Sequence, residues 1–306
     1  MMQENLDNSF SKRKIIAIFL LILTTVLWGT SFIITKNITE KVPIFLYLGI
    51  RFLIGFIGFI PFFPRLKNLN KKVILMGAIT GLLYFFGIVF QTYGLQSTTA
   101  GKTGFITGLS TVIVPFITWI GFKKPIRIRV WCAVILSVIG MAFLLLEGTS
   151  IFIIGDLLVL ACAFIFAFYI VLNDKYVNLS DIYLYSIIQV LIIFISSFIC
   201  SLFLRESYNF ASAHPSFWYV MIYMGIAVMT LTILFQNWSQ QYQGPTTTAI
   251  IFTLEPVFAS LFGYIIGNEI LSLFGWVGCT LIFIAIFITV IKNKNNDIEQ
   301  SLSTTI

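Results

Sequence analysis

Phe90–Gln96 reads FQTYGLQ, and Phe235–Gln241 reads FQNWSQQ, 145 residues further along the chain. The same spacing relates two further pairs, which are Trp131 with Trp276 and Thr107–Val112 (TGLSTV) with Phe252–Val257 (FTLEPV). Earlier in the chain the spacing is 138 residues, and the pairs are Tyr47 with Tyr185 and Arg51 with Gln189. Together these matches predict that the chain consists of two related halves.

The composition indicates a membrane protein. Of the 306 residues, 58% are hydrophobic and 10% are charged, whereas soluble domains carry about 25% charged residues. A helix needs about 20 mostly apolar residues to cross a bilayer. Ten stretches meet this requirement, and they are 15–35, 44–63, 73–95, 100–121, 130–147, 155–173, 182–204, 217–238, 245–266 and 270–291. The predicted fold class is therefore an all-α membrane protein with ten transmembrane helices.

Each half contains five of the ten predicted spans. Because five is odd, the second half must run through the membrane in the opposite direction to the first. The sequence thus predicts two inverted five-helix repeats, at 15–147 and 155–291, with tails at 1–14 and 292–306. Inverted repeats commonly build secondary transporters, and proline-interrupted spans in both halves point to the central site. Here Pro115 and Pro256 interrupt the fourth and ninth spans.

Positive charge in the loops predicts the orientation. Fourteen of the 19 Lys and Arg residues fall on one face, four fall on the other, and Arg51 lies within the second span. Loops rich in Lys and Arg stay in the cytoplasm, so both tails are predicted to be cytoplasmic. The net charge of +7 fits loops beside anionic membrane lipid and requires no nucleic acid. We expect a multi-pass protein of the cell (plasma) membrane, as a monomer or weak dimer.

The ninth span carries an acid and a proline at its middle, Glu255 and Pro256. A charge at bilayer depth costs roughly 2.5–3.5 kcal/mol on insertion scales, so it is normally paired or lines a cavity. Pro256 has no N–H and leaves the carbonyl of Phe252 without its usual helical partner. Glu255 is therefore either a cavity residue, with protons as the candidate coupling ion, or an internal hydrogen-bonded brace. Its counterpart in the first half is Ser110.

Arg51 lies eight residues into the second span, counted from the predicted outer side. Long basic side chains readily reach the interface, so the favoured interpretation is a side chain that extends to the outer headgroups. The alternative is a pair with Glu255 or with a carboxylate of the substrate.

Neutral polar and aromatic side chains complete the candidate site. Amides donate and accept hydrogen bonds without carrying a charge, and those predicted to line a cavity are Gln91, Gln236 and Asn237. Gln241 is nearer the interface and is predicted to bond between helices instead. The aromatic side chains considered as cavity walls are Trp28, Tyr84, Tyr169 and Trp238, and the deepest of these are Trp28 and Tyr84.

Two other functions compete with transport, namely an intramembrane enzyme and a lipid-handling or assembly protein. The sequence contains no HExxH, GxSxG or Walker A motif. Its four cysteines show no metal or redox spacing. We therefore expect neither a metal nor a cofactor, and the inverted repeat favours transport by alternating access.

Four segments carry a family resemblance, and they are Trp28–Lys36 (WGTSFIITK), Gly49–Phe52 (GIRF), Thr98–Leu109 (TTAGKTGFITGL) and Leu254–Glu269 (LEPVFASLFGYIIGNE). With them the chain resembles the drug/metabolite transporter superfamily, in its ten-span EamA-type branch, over nearly its whole length. The resemblance implies an exporter or exchanger of small metabolites with a central cavity. Amides, aromatic rings and one acid in that cavity favour amphipathic or zwitterionic solutes, with amino acids as the first class to test.

Overall fold

The structure is a computed structural model that describes residues 2–121, 123, 126–145, 153–267 and 272–290. These residues form helices and no strand. The α-helices are α1 (Met2–Thr39), α2 (Ile44–Ile57), α3 (Lys71–Ser97), α4 (Ala100–Gly108), α5 (Ser110–Phe116), α6 (Ile128–Leu145), α7 (Ile154–Val177), α8 (Ile182–Phe203), α9 (Pro215–Ile222), α10 (Thr232–Phe252), α11 (Leu254–Gly267) and α12 (Leu273–Val290). Short 3₁₀ helices form at Ile60–Asn68 and Phe210–Ser212, and π-helices form at Ile117–Gly121 and Tyr223–Leu231.

Several of these helices are long and apolar enough to cross a membrane. Six helical segments in the described ranges meet that test, and they are Lys12–Thr39, Lys71–Ser97, Ala100–Gly121, Ile154–Val177, Ile182–Phe203 and Pro215–Ile266. A seventh is Ile44–Ile57 with Ile60–Asn68, which meet at an angle of 75°. Two shorter apolar helices are Ile128–Phe143 and Leu273–Ile288. The protein is thus a multi-pass membrane protein. Described helical residues lie in all ten predicted stretches. That each of the ten crosses the membrane stays a prediction.

The longest of these segments, Pro215–Ile266, reverses direction in its middle. Trp28 Nε1 donates a hydrogen bond to Thr232 Oγ1 at 3.2 Å, and the Trp28 ring lies 4.8 Å from the Phe252 ring. Twenty residues of straight helix would separate those two contacts by about 30 Å. The chain turns back at Gly244, whose φ of 72° and ψ of 170° are not helical. Only glycine adopts that conformation readily, and Pro245 follows it.

Helix breaks occur at matching places in the two halves. Helix α4 ends and α5 begins around Leu109, and α10 ends and α11 begins around Thr253. The two breaks are 144 residues apart, one less than the sequence repeat. Each break lies just before a residue of the matched pair Ser110 and Glu255, so both residues fall in the first turn of a new helix.

Helix packing also relates the halves. Helices α1 and α7 are the first helices of the two predicted repeats. Helix α1 packs against α10 and α11, and α7 packs against α3, α4 and α5. Helices α2 and α6 each pack against the helix at the matching place in the other half, which are α8 and α12. The contact between α1 and α11 is close, because a Cβ added at Gly29 would lie 2.5 Å from Phe258 Cβ. The largest buried apolar cluster contains side chains of both halves, among them Phe52 and Ile193.

Candidate functional site

A central cavity lies between the two halves. The lining side chains include Arg51 and Glu255, the aromatic rings of Trp28, Tyr84, Phe166, Tyr169 and Phe252, the amides Gln91 and Gln236, and the hydroxyl groups of Ser31, Thr107 and Ser110. Most predicted site residues therefore meet at one place, although they come from six helices.

Arg51 lies inside the protein, with only 2% of its surface exposed. Its Nη1 donates a hydrogen bond to Tyr47 Oη at 3.2 Å, and Tyr47 Oη also lies 2.8 Å from Thr35 Oγ1. Arg51 Nε has no hydrogen-bond partner. The favoured interpretation, an Arg51 side chain that extends to the outer headgroups, is therefore wrong. The cavity gives the Arg51 guanidinium group the polar surroundings that the membrane–water interface would otherwise supply.

Glu255 is 8% exposed and lines the same cavity. It is the second residue of α11 and lies in the first turn of that helix, where a negative charge is favourable. Within the described residues, no ion pair joins Glu255 to Arg51 at 4 Å or less. The cavity thus contains two groups of opposite charge that are not paired with each other.

Aromatic rings form the walls of the cavity, and the predicted Trp28 and Tyr84 are among them. The Trp28 ring packs against the Phe252 ring, and Trp28 Nε1 donates a hydrogen bond to Thr232 Oγ1. Tyr84 contacts Tyr169 edge to face, with 5.2 Å between ring centroids. The Tyr169 hydroxyl is buried. The walls therefore combine apolar ring faces with a buried hydroxyl group.

The predicted amides divide between the cavity and the protein interior. Gln91 lines the cavity and donates to Thr107 Oγ1 at 3.1 Å. Gln236 also lines it, and its Oε1 is buried without a partner. Asn237 does not line the cavity, so that prediction is wrong. Its Nδ2 donates to Ser186 Oγ and to Gln189 Oε1, both at 2.8 Å, because residue 237 faces α8.

Trp238 also lies away from the cavity, which corrects its assignment as a wall residue. Its ring is 4.7 Å from the Tyr242 ring and packs with the apolar cluster around Val73 and Val177. Gln241 bonds between helices as predicted, since its Nε2 donates to the Val177 carbonyl at 2.7 Å. One helical turn of α10 therefore contributes a cavity residue, an interior residue and a peripheral residue in succession.

The two prolines have different places. Pro256 lies in the first turn of α11 and packs against α4, where a Cβ added at Gly104 would lie 3.1 Å from Pro256 Cα. Pro115 is inside α5 and is followed by the π-helix Ile117–Gly121. The helix breaks themselves lie at Leu109 and Thr253. Ser110, the counterpart of Glu255, is buried at the cavity wall.

A buried cluster beside the cavity is a feature that the sequence analysis did not identify. Its members are uncharged, come from α3, α7, α8 and α10, and are Thr80, Asn173, Tyr185, Ser186, Gln189, Gln236, Asn237 and Gln240. We call this set the amide cluster. The repeat spacing of 138 residues gave a signal, since it relates Thr35, Tyr47 and Arg51 to Asn173, Tyr185 and Gln189. In both sets the tyrosine hydroxyl bonds the first member.

Metal binding has no support in the described residues, where no group of three or more His, Cys, Asp or Glu side chains is placed to hold an ion. The four cysteines, all within the described residues, form no disulfide bond. The cavity lining combines Arg51 and Glu255 with two amides, several hydroxyl groups and aromatic rings.

Comparisons with known proteins agree with this geometry. The model of the EamA-like transporter family matches residues 15–146 and 153–291. An uncharacterized transporter of Archaeoglobus fulgidus is 32% identical over 275 residues, which cover 89% of this chain and 85% of that protein. The uncharacterized transporter YetK of Bacillus subtilis is 23% identical over 290 residues, which cover 88% and 85%.

A solved crystal structure has the same fold. It superposes with a TM-score of 0.72 at 18% sequence identity, and the match covers 90% of this chain and 95% of the other. At that identity the likeness shows the fold alone. The family match extends over both halves of the sequence and agrees with the transporters found among the relatives. The chain therefore belongs to the EamA-like transporter family.

Proposed function

We propose that this protein is a secondary active transporter, an exporter or exchanger, that moves small zwitterionic or amphipathic metabolites by alternating access. The observation that carries the proposal is the pair Arg51 and Glu255, both buried in one aromatic cavity and not paired with each other. A buried charge without a partner is costly in a membrane. A zwitterion bound between them places its carboxylate on Arg51 and its ammonium group on Glu255.

Amino acids are the first substrate class to test. Each carries both charges, and their side chains would contact the aromatic walls around Trp28 and Tyr84. Gln236 Oε1, which is buried without a partner, offers a further hydrogen bond to the ligand. Such a site has the mixed character that small-molecule pockets usually have, with apolar walls and a few polar groups that fix orientation.

Alternating access is proposed from the relation between the halves. The family model matches each half separately, equivalent helices make equivalent contacts, and the helix breaks at Leu109 and Thr253 lie at matching places. These features support two inverted five-helix repeats at 15–147 and 155–291 in a ten-span protein of the plasma membrane. In such transporters one repeat or helix bundle rocks or gates against the other around a fixed site.

Counterflow into liposomes tests the proposal. Purified protein is reconstituted with one unlabelled L-amino acid inside, and uptake of the same labelled amino acid is measured for each member of a panel. We expect uptake that overshoots equilibrium for at least one amino acid, and no overshoot in liposomes without protein. Absence of counterflow for every amino acid would refute the amino-acid assignment. Chemical conversion of the solute would instead indicate an enzyme.

A further inference from the structure

The amide cluster is tightly connected through Asn173. The Asn173 Nδ2 donates to Asn237 Oδ1 at 2.8 Å and to Gln240 Oε1. Its Oδ1 accepts from Gln189 Nε2 and from the Tyr185 hydroxyl, both at 2.9 Å. An amide has two donors and one oxygen with two lone pairs, so Asn173 uses its full capacity. It thereby links α7 to both α8 and α10.

Further bonds extend the cluster to α3 and back to the cavity. Gln189 Nε2 donates to Thr80 Oγ1 at 3.0 Å, which connects α8 to α3. Gln240 Nε2 donates to the Ile170 carbonyl at 3.1 Å. Gln236 Nε2 reaches Gln240 Oε1 at 3.4 Å, while Gln236 Oε1 faces the cavity without a partner. Gln236 is therefore a member of both the amide cluster and the cavity wall.

The cluster closes one end of the cavity. On α3, Thr80 precedes the lining residue Tyr84 by one turn, and on α10, Gln240 follows the lining residue Gln236 by one turn. On α7, Asn173 follows the lining residue Ile170 by nearly one turn. These three positions lie beyond the cavity in the same direction, and all three side chains are at most 1% exposed.

Positive charge marks that end of the molecule as the predicted cytoplasmic side. The nearest helix ends on this side are the start of α3, the end of α7 and the turn at Gly244. Lys71 and Lys72 begin α3, and Lys175 lies in the last turn of α7. Gln243, beside the turn, donates to the Lys14 carbonyl at 2.7 Å. This end therefore coincides with the face that is rich in Lys and Arg.

We propose that the amide cluster is the cytoplasmic closure of the cavity, and that it separates when the transporter opens inward. The inference rests on the proposed function and names the residues that control one of its two open states. Because every member is uncharged, α3, α7, α8 and α10 can part without exposing an unpaired ion to the membrane. Gln236 connects the closure to the cavity, since its Nε2 bonds Gln240 while its Oε1, on the same lining side chain, has no partner.

At the opposite end of the cavity, the set that the repeat spacing relates to the amide cluster has fewer hydrogen bonds. The matching set there is Thr35, Tyr47 and Arg51, which has two hydrogen bonds and an unpartnered Arg51 Nε. The counterparts of Asn237 and Gln240 at the repeat spacing are Thr92 and Leu95. Thr92 bonds only the Ile88 carbonyl of its own helix. The structure therefore corresponds to a state closed on the amide-cluster side.

Thiol labelling from each side of the membrane tests the closure without any substrate. The four native cysteines are replaced by alanine, and Ser110→Cys places one thiol in the cavity wall. A membrane-impermeant maleimide is added to right-side-out vesicles and to inside-out vesicles. We expect slow labelling from the cytoplasmic side. Asn173→Leu removes four hydrogen bonds and is expected to raise the cytoplasmic labelling rate at least tenfold.

Two matched variants keep the test decisive. Ser197→Ala removes a buried hydroxyl of α8 that bonds only the Ile193 carbonyl of its own helix, so cytoplasmic labelling should stay slow. Tyr185→Phe retains the ring, removes one hydroxyl group, and should give an intermediate rate if Asn173→Leu folds poorly.

Three outcomes would each overturn the proposed closure. The Ser110→Cys parent could label fast from the cytoplasmic side, or Asn173→Leu and Tyr185→Phe could both leave the labelling rate unchanged. The third outcome is an equal rise of the rate in Ser197→Ala. The labelling result does not depend on counterflow. A protein that shows the expected labelling but transports no amino acid would retain the closure and lose only the substrate assignment.

Discussion

At the scale of single residues, the position of Glu255 explains why an acid and a proline are neighbours in an apolar stretch. Helix α10 ends before them, and α11 begins at Leu254. The first turn of a helix has free N–H groups, which favour a carboxylate and tolerate a proline that has no N–H to offer. Glu255 and Pro256 are thus residues of a helix start that faces the cavity, and the sequence had indicated only an interruption.

Glu255→Gln distinguishes the two roles considered for this acid. The variant keeps the shape and some hydrogen bonding but cannot exchange a proton. In this variant, we expect an imposed pH gradient to add little to the uptake of a transported amino acid. Exchange of that amino acid across the membrane should persist. Uptake assays with and without an imposed pH gradient measure both quantities.

The two alternative outcomes for Glu255→Gln have definite meanings. Full gradient-driven accumulation would exclude Glu255 as the proton carrier. Loss of every transport mode together with a lower unfolding temperature would identify a structural brace. Ser110→Ala, at the matching place in the other half, is the control, because it alters the cavity wall without removing a titratable group.

Arg51→Gln tests the proposed carboxylate contact and introduces the residue found at the matching position, Gln189. A hydrogen bond to a charged group contributes roughly 1.5–3 kcal/mol, and 1.4 kcal/mol corresponds to about tenfold in affinity. We therefore expect the KM for a transported amino acid to rise about 10- to 100-fold. Arg205→Gln, on an exposed loop, should leave KM unchanged. An unaltered KM in Arg51→Gln would exclude this contact.

At the scale of secondary-structure elements, the turn at Gly244 determines how two helices pass on either side of the cavity. The segment Pro215–Ile266 contains 52 residues, and its direction reverses at the non-helical Gly244. The sequence predicted two spans there, at 217–238 and 245–266, because a polar stretch with Gly244 and Pro245 lies between them. The same reasoning could not reveal the π-helix Tyr223–Leu231, since its extra residue per turn depends on packing against α2.

Gly244→Ala measures the importance of this turn. Nothing lies within 4 Å of a Cβ added at Gly244, so the substitution introduces no clash. Its φ of 72° is nevertheless unfavourable for alanine, by about 1–3 kcal/mol. We expect a lower unfolding temperature in detergent, measured by tryptophan fluorescence. Gly121→Ala is the matched control, since its nearest neighbour would be 3.9 Å away and its φ is not positive, and it should show little change.

At the scale of the whole molecule, the sequence predicted the helices better than it predicted the surroundings of the site residues. Apolar length and repeat spacing are properties of the chain, so Trp28, Tyr84, Gln91 and Gln236 could be placed near one centre. Arg51 and Asn237 could not be placed correctly. Their surroundings depend on how several helices rotate about their axes, and a rotation of one residue exchanges a cavity position for an interior one.

The proposed orientation of the whole molecule is tested by labelling single cysteines in intact cells. A thiol at His214, in the exposed loop before α9, should react with an impermeant reagent added from outside. A thiol at Lys124, which lies outside the described residues, should not react. The reverse result would place both tails outside the cell and would also move the amide cluster to the outer face.

The unequal hydrogen bonding at the two ends of the cavity has a consequence for the timing of the cycle. Two identical halves would give inward-open and outward-open states of equal free energy, with equal residence in each. Here the set around Asn173 has more hydrogen bonds than the matching set around Arg51, so the proposed closure predicts that the empty carrier rests mainly in one state. We expect separation of the amide cluster to be the slow step of the cycle and to set the turnover number.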